Sequence, residues 1–230
     1  MFPIGDEKVS GVGVAFVTIA LIAINVLVYL FEINRPEGAI QAFVSAWGVV
    51  PREYSAGSDI APHIPAPYWS TLVTSMFLHA GWGHLGGNML FLWIFGDNIE
   101  HRIGHIRFVI FYIACGLAAG LAHIFFNSTS MIPTVGASGA ISGVMGGYLL
   151  LFPRNRVYVL TWGGVASVPA MLMLGLWIVM QFINSVGSVA VTPETEEGGV
   201  AYIAHVGGFV MGLLLAPLFV AGRRRTPLIP

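Results

Sequence analysis

Four polar side chains stand out in an otherwise apolar chain: Ser138, His205, His84 and Asn88. Ser138 sits in Gly136-Ala137-Ser138-Gly139, where a loop runs into a helix. Glycine lets the backbone turn sharply there, and the unpaired N–H groups of a helix N-terminus can face a developing oxyanion. A serine hydroxyl becomes a nucleophile only with a base within hydrogen-bond reach, and His205 is the natural candidate. His84 and Asn88, at i and i+4, share one helical face and could donate hydrogen bonds to the same oxyanion. No acidic residue lies in the outer halves of these helices, since Asp97 and Glu100 fall near an inner end. The pattern therefore fits a Ser-His dyad better than a triad.

The elements that must position these groups follow from composition. The chain has 230 residues, 56% hydrophobic and 9% charged, with a mean hydropathy of +0.81. A soluble domain is about 45–50% apolar and roughly 25% charged, so a soluble enzyme and a disordered chain are excluded. A net charge of −1 leaves no electrostatic footprint for nucleic acid. The composition fits an all-α membrane protein. Glycine contributes 29 residues, nearly twice the usual ~7% share, which points to helices packed through small residues. Cys115 is the only cysteine, so no intrachain disulfide forms.

Uncharged runs, measured against the ~20 residues a spanning helix needs, predict six spans. They cover Ser10–Phe31, Gly83 to about Glu100, Arg107–Phe126, Ser138–Phe152, a stretch within Val165–Val186, and about Ala201–Ala221. The first follows Asp6-Glu7-Lys8, which is no basic leader, and reads as a signal anchor rather than a cleaved peptide. With both termini cytoplasmic, Lys8, Arg102, Arg107, Arg154, Arg156 and Arg223–Arg225 are inside, eight of the ten basic residues. That bias sets the expected topology, with Arg35, Arg52 and the Glu194–Glu197 loop outside. The outer loop 32–82 holds Trp47, Tyr54, Tyr68 and Trp69 among prolines 51, 62, 65 and 67, as in a structured segment in the headgroup layer. The tail 222–230 reads as an anchor for anionic lipid, and the whole chain as one membrane domain with its core at about 12–221.

Depth follows from counting back to the first inner arginine. Asn88 lies fourteen residues before Arg102, Ser138 sixteen before Arg154, and His205 eighteen before Arg223. At ~1.5 Å per residue these lie about 21, 24 and 27 Å up, with His84 also at about 27 Å. Three helices thus deliver polar groups to one layer. Gly139, Gly143 and Gly147 repeat at i+4, as do Gly208 and Gly212, offering small faces that would bring His205 over Ser138. Each residue alone has a blander reading: an interhelical clasp for Asn88, a structural hydrogen bond for His205, and packing for a serine between glycines. His79 reads as ordering its loop, and His123 and Cys115 as packing. His101 and His105 have metal-ligand spacing, but no third ligand is evident, so neither metal nor cofactor is expected.

The set resembles the rhomboid family of intramembrane serine proteases. The pieces are His79-Ala80-Gly81-Trp82-Gly83-His84 with Leu85-Gly86-Gly87-Asn88, then Gly136-Ala137-Ser138-Gly139, then Ala204-His205-Val206-Gly207-Gly208 with Gly212. Glu100-His101-Arg102 is similar to the family's Glu-x-Arg pair, whereas the outer loop has no Trp-Arg pair. The resemblance implies a six-helix rhomboid-like bundle. Ser138 would be the nucleophile and His205 its base, with His84, Asn88 and the Ser138 backbone N–H stabilising the oxyanion. Gly136, Gly139, Gly208 and Gly212 would support them. Substrates would be transmembrane proteins cut near the outer surface, with the fifth helix and the Gly187–Gly199 loop as gate and cap. Some relatives carry an aromatic four residues after the serine, bracing the histidine; here that residue is Ser142. A bacterial inner membrane is the implied location. The alternatives are an inactive relative binding transmembrane clients, or a small transporter. A transporter calls for paired broken helices and ion-carrying residues near the midplane, neither of which is evident.

Overall fold

The computed structural model describes residues 2–8, 13–189 and 202–221. A short strand β1 (Phe2–Asp6) precedes helix α1 (Phe16–Ile33), and α2 (Glu37–Trp47) and α3 (Pro51–Ala56) follow. After α4 (Thr71–Thr74) come α5 (Trp82–Ile103), α6 (His105–Phe126) and α7 (Ser138–Leu151). Strands β2 (Arg156–Thr161) and β3 (Gly164–Pro169) lead to α8 (Ala170–Val189) and α9 (Tyr202–Val220). Helices α1, α6 and α9 are long and apolar enough to cross a membrane. Helix α5 matches α6 at 22 residues but carries Asn88, Asp97, Asn98 and Glu100, all buried. The expected loop cap at Gly187–Gly199 falls largely outside the described residues, as do Glu194–Glu197 and Arg223–Arg225.

Helix α7 is the axis of the bundle. It has only 14 residues, about 21 Å of helix, and every side chain from Gly139 to Tyr148 is buried. Helices α5, α6, α8 and α9 pack around it, and α1 lies against α5. Leu92, Phe95, Ile99, Phe111, Tyr112 and Met145 fill the space between them. On the outside, Phe16, Leu27, Ile106, Phe125 and Leu218 remain exposed. Apolar surface on both sides of a helix means that burial from water does not hold the bundle together; close packing and polar contacts must.

The structure departs from an all-helical reading in one respect. The three strands form an antiparallel sheet in the order β1-β2-β3. Strands β2 and β3 pair from Arg156↔Pro169 to Thr161↔Gly164 around a two-residue turn, with Gly164 at φ +108°. Val157 and Val159 are buried while their neighbours are exposed, the period-2 alternation of a half-buried strand. The fifth helix accordingly begins at Ala170, because Val165–Pro169 belongs to the hairpin. The outer loop is structured too, holding α2, α3 and α4.

Two carboxylates pin the end of the bundle opposite Ser138. Glu100 accepts the α1 backbone N–H groups of Val17 at 2.9 Å and Thr18 at 2.7 Å, and the Thr18 hydroxyl at 2.7 Å. His105 shares that carboxylate. A fixed negative charge thus sits where the helix dipole of α1 is positive. Asp6 accepts Tyr148 O–H at 2.5 Å and Asn98 Nδ2–H at 2.7 Å, tying β1 to α7 and α5. Burial pushes the Asp6 carboxyl up from 3.8 to about 7, with the nearby Asp97 adding to it; Tyr148, Lys8 and Asn98 hold it down only in part.

The folded state therefore holds the Asp6 proton more tightly than the unfolded chain. Stability from this group is complete below 3.8 and falls as pH rises toward 7. Thermal unfolding in detergent should show Asp6→Asn losing less stability between pH 5 and pH 8 than the wild type. Equal slopes would contradict the assignment.

Candidate active site

The serine loop is held from two directions. Gly136 has φ +123°, a region closed to most L side chains, and its N–H donates to Ser75 O at 2.8 Å. Val49 and Thr134 exchange backbone hydrogen bonds of 3.0 and 2.8 Å, so the outer loop clamps the segment entering α7. Ser138 is the first residue of α7. Its backbone N–H is one of the four at the helix start without an intrahelical acceptor.

Helix α9 brings His205 to this point. His205 Nε2 lies 2.8 Å from Ser138 Oγ, within ordinary hydrogen-bond length. The approach depends on glycine. A Cβ on Gly208 would sit 2.0 Å from Gly139 O, and one on Gly212 1.9 Å from Gly143 O. A Cβ on Gly143 would meet Cys115 Cβ at 2.3 Å, and one on Gly139 would meet Ala119 Cβ at 2.5 Å, so α6 closes on the same seam. Further contacts with α9 come from Gly146, facing Phe209 O, and from Gly147, where a Cβ would lie 3.6 Å from Ala216 Cβ and 3.0 Å from the Phe111 ring.

His84 and Asn88 reach the same place from α5. A Cβ on Gly136 would lie 2.8 Å from His84 Nε2 and 3.7 Å from Asn88 Nδ2, so both polar groups press against the serine loop. His84 Nδ1 accepts Ala80 N–H at 3.4 Å, which leaves the ring proton on Nε2, the nitrogen facing Gly136. Asn88 Nδ2 is buried with no hydrogen-bond partner. An unsatisfied buried donor is costly, and here it borders a cavity of about 780 Å³ shared with Ser138, His205 and His84. Base, hydroxyl and two free donors facing one cavity can support acyl transfer: attack by Oγ, proton removal by Nε2, and stabilisation of the oxyanion.

The model of the rhomboid domain matches residues 66–222. That span is more than half of the chain and contains all four polar residues. The chain belongs to the rhomboid family. Among its relatives are rhomboid protein 1, mitochondrial, of Saccharomyces cerevisiae, 32% identical over 63% of this chain and 40% of the relative. The rhomboid-like protein 11, chloroplastic, of Arabidopsis thaliana is 30% identical over 65% and 52%. The rhomboid protease GluP of Bacillus subtilis is 29% identical over 86% and 34%. The chain thus spans 34–52% of the length of these relatives. Family and apolar helices together make it an integral membrane protein.

In this rhomboid-family chain the histidine is braced from α8. Trp177 packs beside it, ring centroids 5.9 Å apart, and Gln181 Oε1 lies 2.7 Å from His205 Nδ1. Ser142 instead turns back along α7 and donates to Ser138 O at 2.7 Å. Neither Trp177 nor Gln181 carries the acid expected of a triad's third member. A signal existed: they stand at i and i+4, and Gln181 is the lone strongly polar side chain between Ala170 and Ile183. The other histidines do not meet the serine, and His79, packed on His84, has neither ring nitrogen hydrogen-bonded. His79 is buried beside Tyr29, His123 Nε2 meets Thr134 Oγ1 at 2.7 Å, and His101 Nε2 meets Gly13 O at 2.7 Å.

The seam yields a test. A methyl at Gly212 runs into backbone and cannot be relieved by a rotamer change, so Gly212→Ala should cost about 1–3 kcal/mol or more. Gly175→Ala, on α8 with open space around it, should cost nothing. Unfolding midpoints in detergent check this, and equal midpoints for the two variants would contradict it.

Proposed function

We propose that this chain is an intramembrane serine endopeptidase that hydrolyses peptide bonds in or near transmembrane segments of other membrane proteins. The observation that carries the reading is the 2.8 Å Ser138–His205 contact on a cavity that the unpartnered Asn88 amide also faces.

In this mechanism His205 Nε2 takes the proton of Ser138 as Oγ attacks the scissile carbonyl. The tetrahedral oxyanion is held by Asn88 Nδ2–H, His84 Nε2–H and the Ser138 backbone N–H. His205 then donates its proton to the leaving amine, and water taken up from the cavity hydrolyses the acyl-enzyme by the same steps. A peptide bond inside an intact helix has its carbonyl already hydrogen-bonded and its backbone wrapped away from a nucleophile. Substrates should therefore carry helix-weakening residues near the cut, so that the segment can unwind into the cavity.

The architecture proposed with this activity is a single membrane domain of six spans, α1, α5, α6, α7, α8 and α9, with both termini cytoplasmic. Ser138 and the outer loop then lie toward the outer surface, and the sheet with its Arg156, together with Arg154 in the turn before it, toward the inner one. A bacterial inner membrane is the proposed location.

Reconstitution with a single-span substrate tests the proposal. Cleavage should be lost in Ser138→Ala and in His205→Ala while the helical signal is retained. Asn88→Ala should lower kcat by about 10²–10³, the usual loss on removing one oxyanion donor. Cleavage by the Ser138→Ala protein would overturn the mechanism.

A further inference from the structure

We propose that Gln181 is a positioning residue for this chemistry, completing a Ser138–His205–Gln181 relay in which a helix at the edge of the bundle sets the tautomer of the base. The inference rests on the reading of Ser138 as nucleophile and His205 as base.

A neutral imidazole that accepts a proton at Nε2 must carry its own proton on Nδ1. His205 is 8% exposed, so this Nδ1–H needs an acceptor inside the protein. Gln181 Oε1, at 2.7 Å, is that acceptor. An amide carbonyl can only accept, so it selects the tautomer with Nε2 free to face Ser138 Oγ. The groups around the ring are Ser138 from α7, Gln181 and Trp177 from α8, and the titratable His84 from α5 and His123 from α6. Among the described residues no carboxylate meets the ring. A neutral amide orients the ring without bringing a buried negative charge into a membrane-embedded site, where a carboxylate would be costly.

The support comes from a helix with few buried side chains. Helix α8 turns Leu172, Leu176, Val179, Phe182 and Ile183 outward. It is held along one stripe, where Ala170, Leu174 and Ser185 are buried and Trp177 and Gln181 meet His205. A displacement of α8 would remove the Nδ1 acceptor and the flanking indole together, and the ring of His205 would be free to turn from the serine. The catalytic base is therefore in register only while α8 is seated.

The test compares Gln181→Leu and Gln181→Glu with wild type in proteoliposomes carrying a single-span substrate. Gln181→Leu should lower kcat by about 10–100-fold with KM within about twofold, less than the ~10⁴-fold loss seen when a charged third member is neutralised. Gln181→Glu should lower kcat less than Gln181→Leu does and move the acid limb of the kcat/KM profile to higher pH, because a carboxylate still accepts from Nδ1–H and favours the imidazolium. A merely structural role would not move that limb. Wild-type kcat and pH profile in both variants would overturn the inference. Cleavage that survives Ser138→Ala overturns the serine mechanism instead. In that case nitrogen NMR of histidine-labelled protein decides: a pure Nδ1–H tautomer of His205 that becomes mixed in Gln181→Leu supports the positioning role, and an unchanged tautomer overturns it.

Discussion

Everything at this site depends on how closely α7 and α9 can approach. Within lipid, apolar side chains gain nothing by leaving the tails for a neighbouring helix, so association rests on packing and polar contacts. The protein meets this with backbone against backbone: Gly208 over Gly139 O, Gly212 over Gly143 O, and Gly146 beneath Phe209 O. A side chain at any of these points would push the helices apart by about an ångström or more. A shift of that size is enough to cost a reacting pair roughly 10²-fold in rate. The 2.8 Å contact between Ser138 and His205 is thus a consequence of a glycine seam several residues away.

Around the seam, each polar group is set by a different part of the fold. The outer loop clamps the segment before Ser138 through Val49, Ser75 and Thr134. Helix α5 presses His84 and Asn88 against Gly136. At the other end, Glu100 caps α1 and Asp6 ties β1 to α5 and α7, giving the bundle a polar clasp away from the chemistry. Helix α8 is held less firmly and supplies only Trp177 and Gln181 to the histidine. Ser138 thus sits beside closely packed backbone, while His205 is met on its far side by a helix with few buried side chains.

Much of this was legible in the sequence, for reasons that differ by element. Each of the six expected stretches contains a helix, because charges mark most of the breaks and Asn127–Ser130 with Pro133 marks the one between α6 and α7. Ser138, His205, His84 and Asn88 were legible because polar groups in apolar helices are rare, and their distances from the inner arginines place them at one height. The hairpin is not legible in hydropathy because Val157–Pro169 is apolar enough to extend a span. Its alternation, and the Trp162-Gly163-Gly164 turn, were the available signals. Glu100 as the cap of α1 could not be read, since its partners lie 82 and 83 residues away. Gln181 is not legible as a third member because it is neutral, whereas the usual third member of a triad is an acid.

The central claim is that His205 activates Ser138. The most direct measurement is labelling of the detergent-solubilised protein with a fluorophosphonate, followed by peptide mass spectrometry. The account predicts one adduct, on Ser138, formed by the wild type and absent in His205→Ala. An unlabelled Ser138, or equal labelling of Ser138 without the histidine, would contradict it.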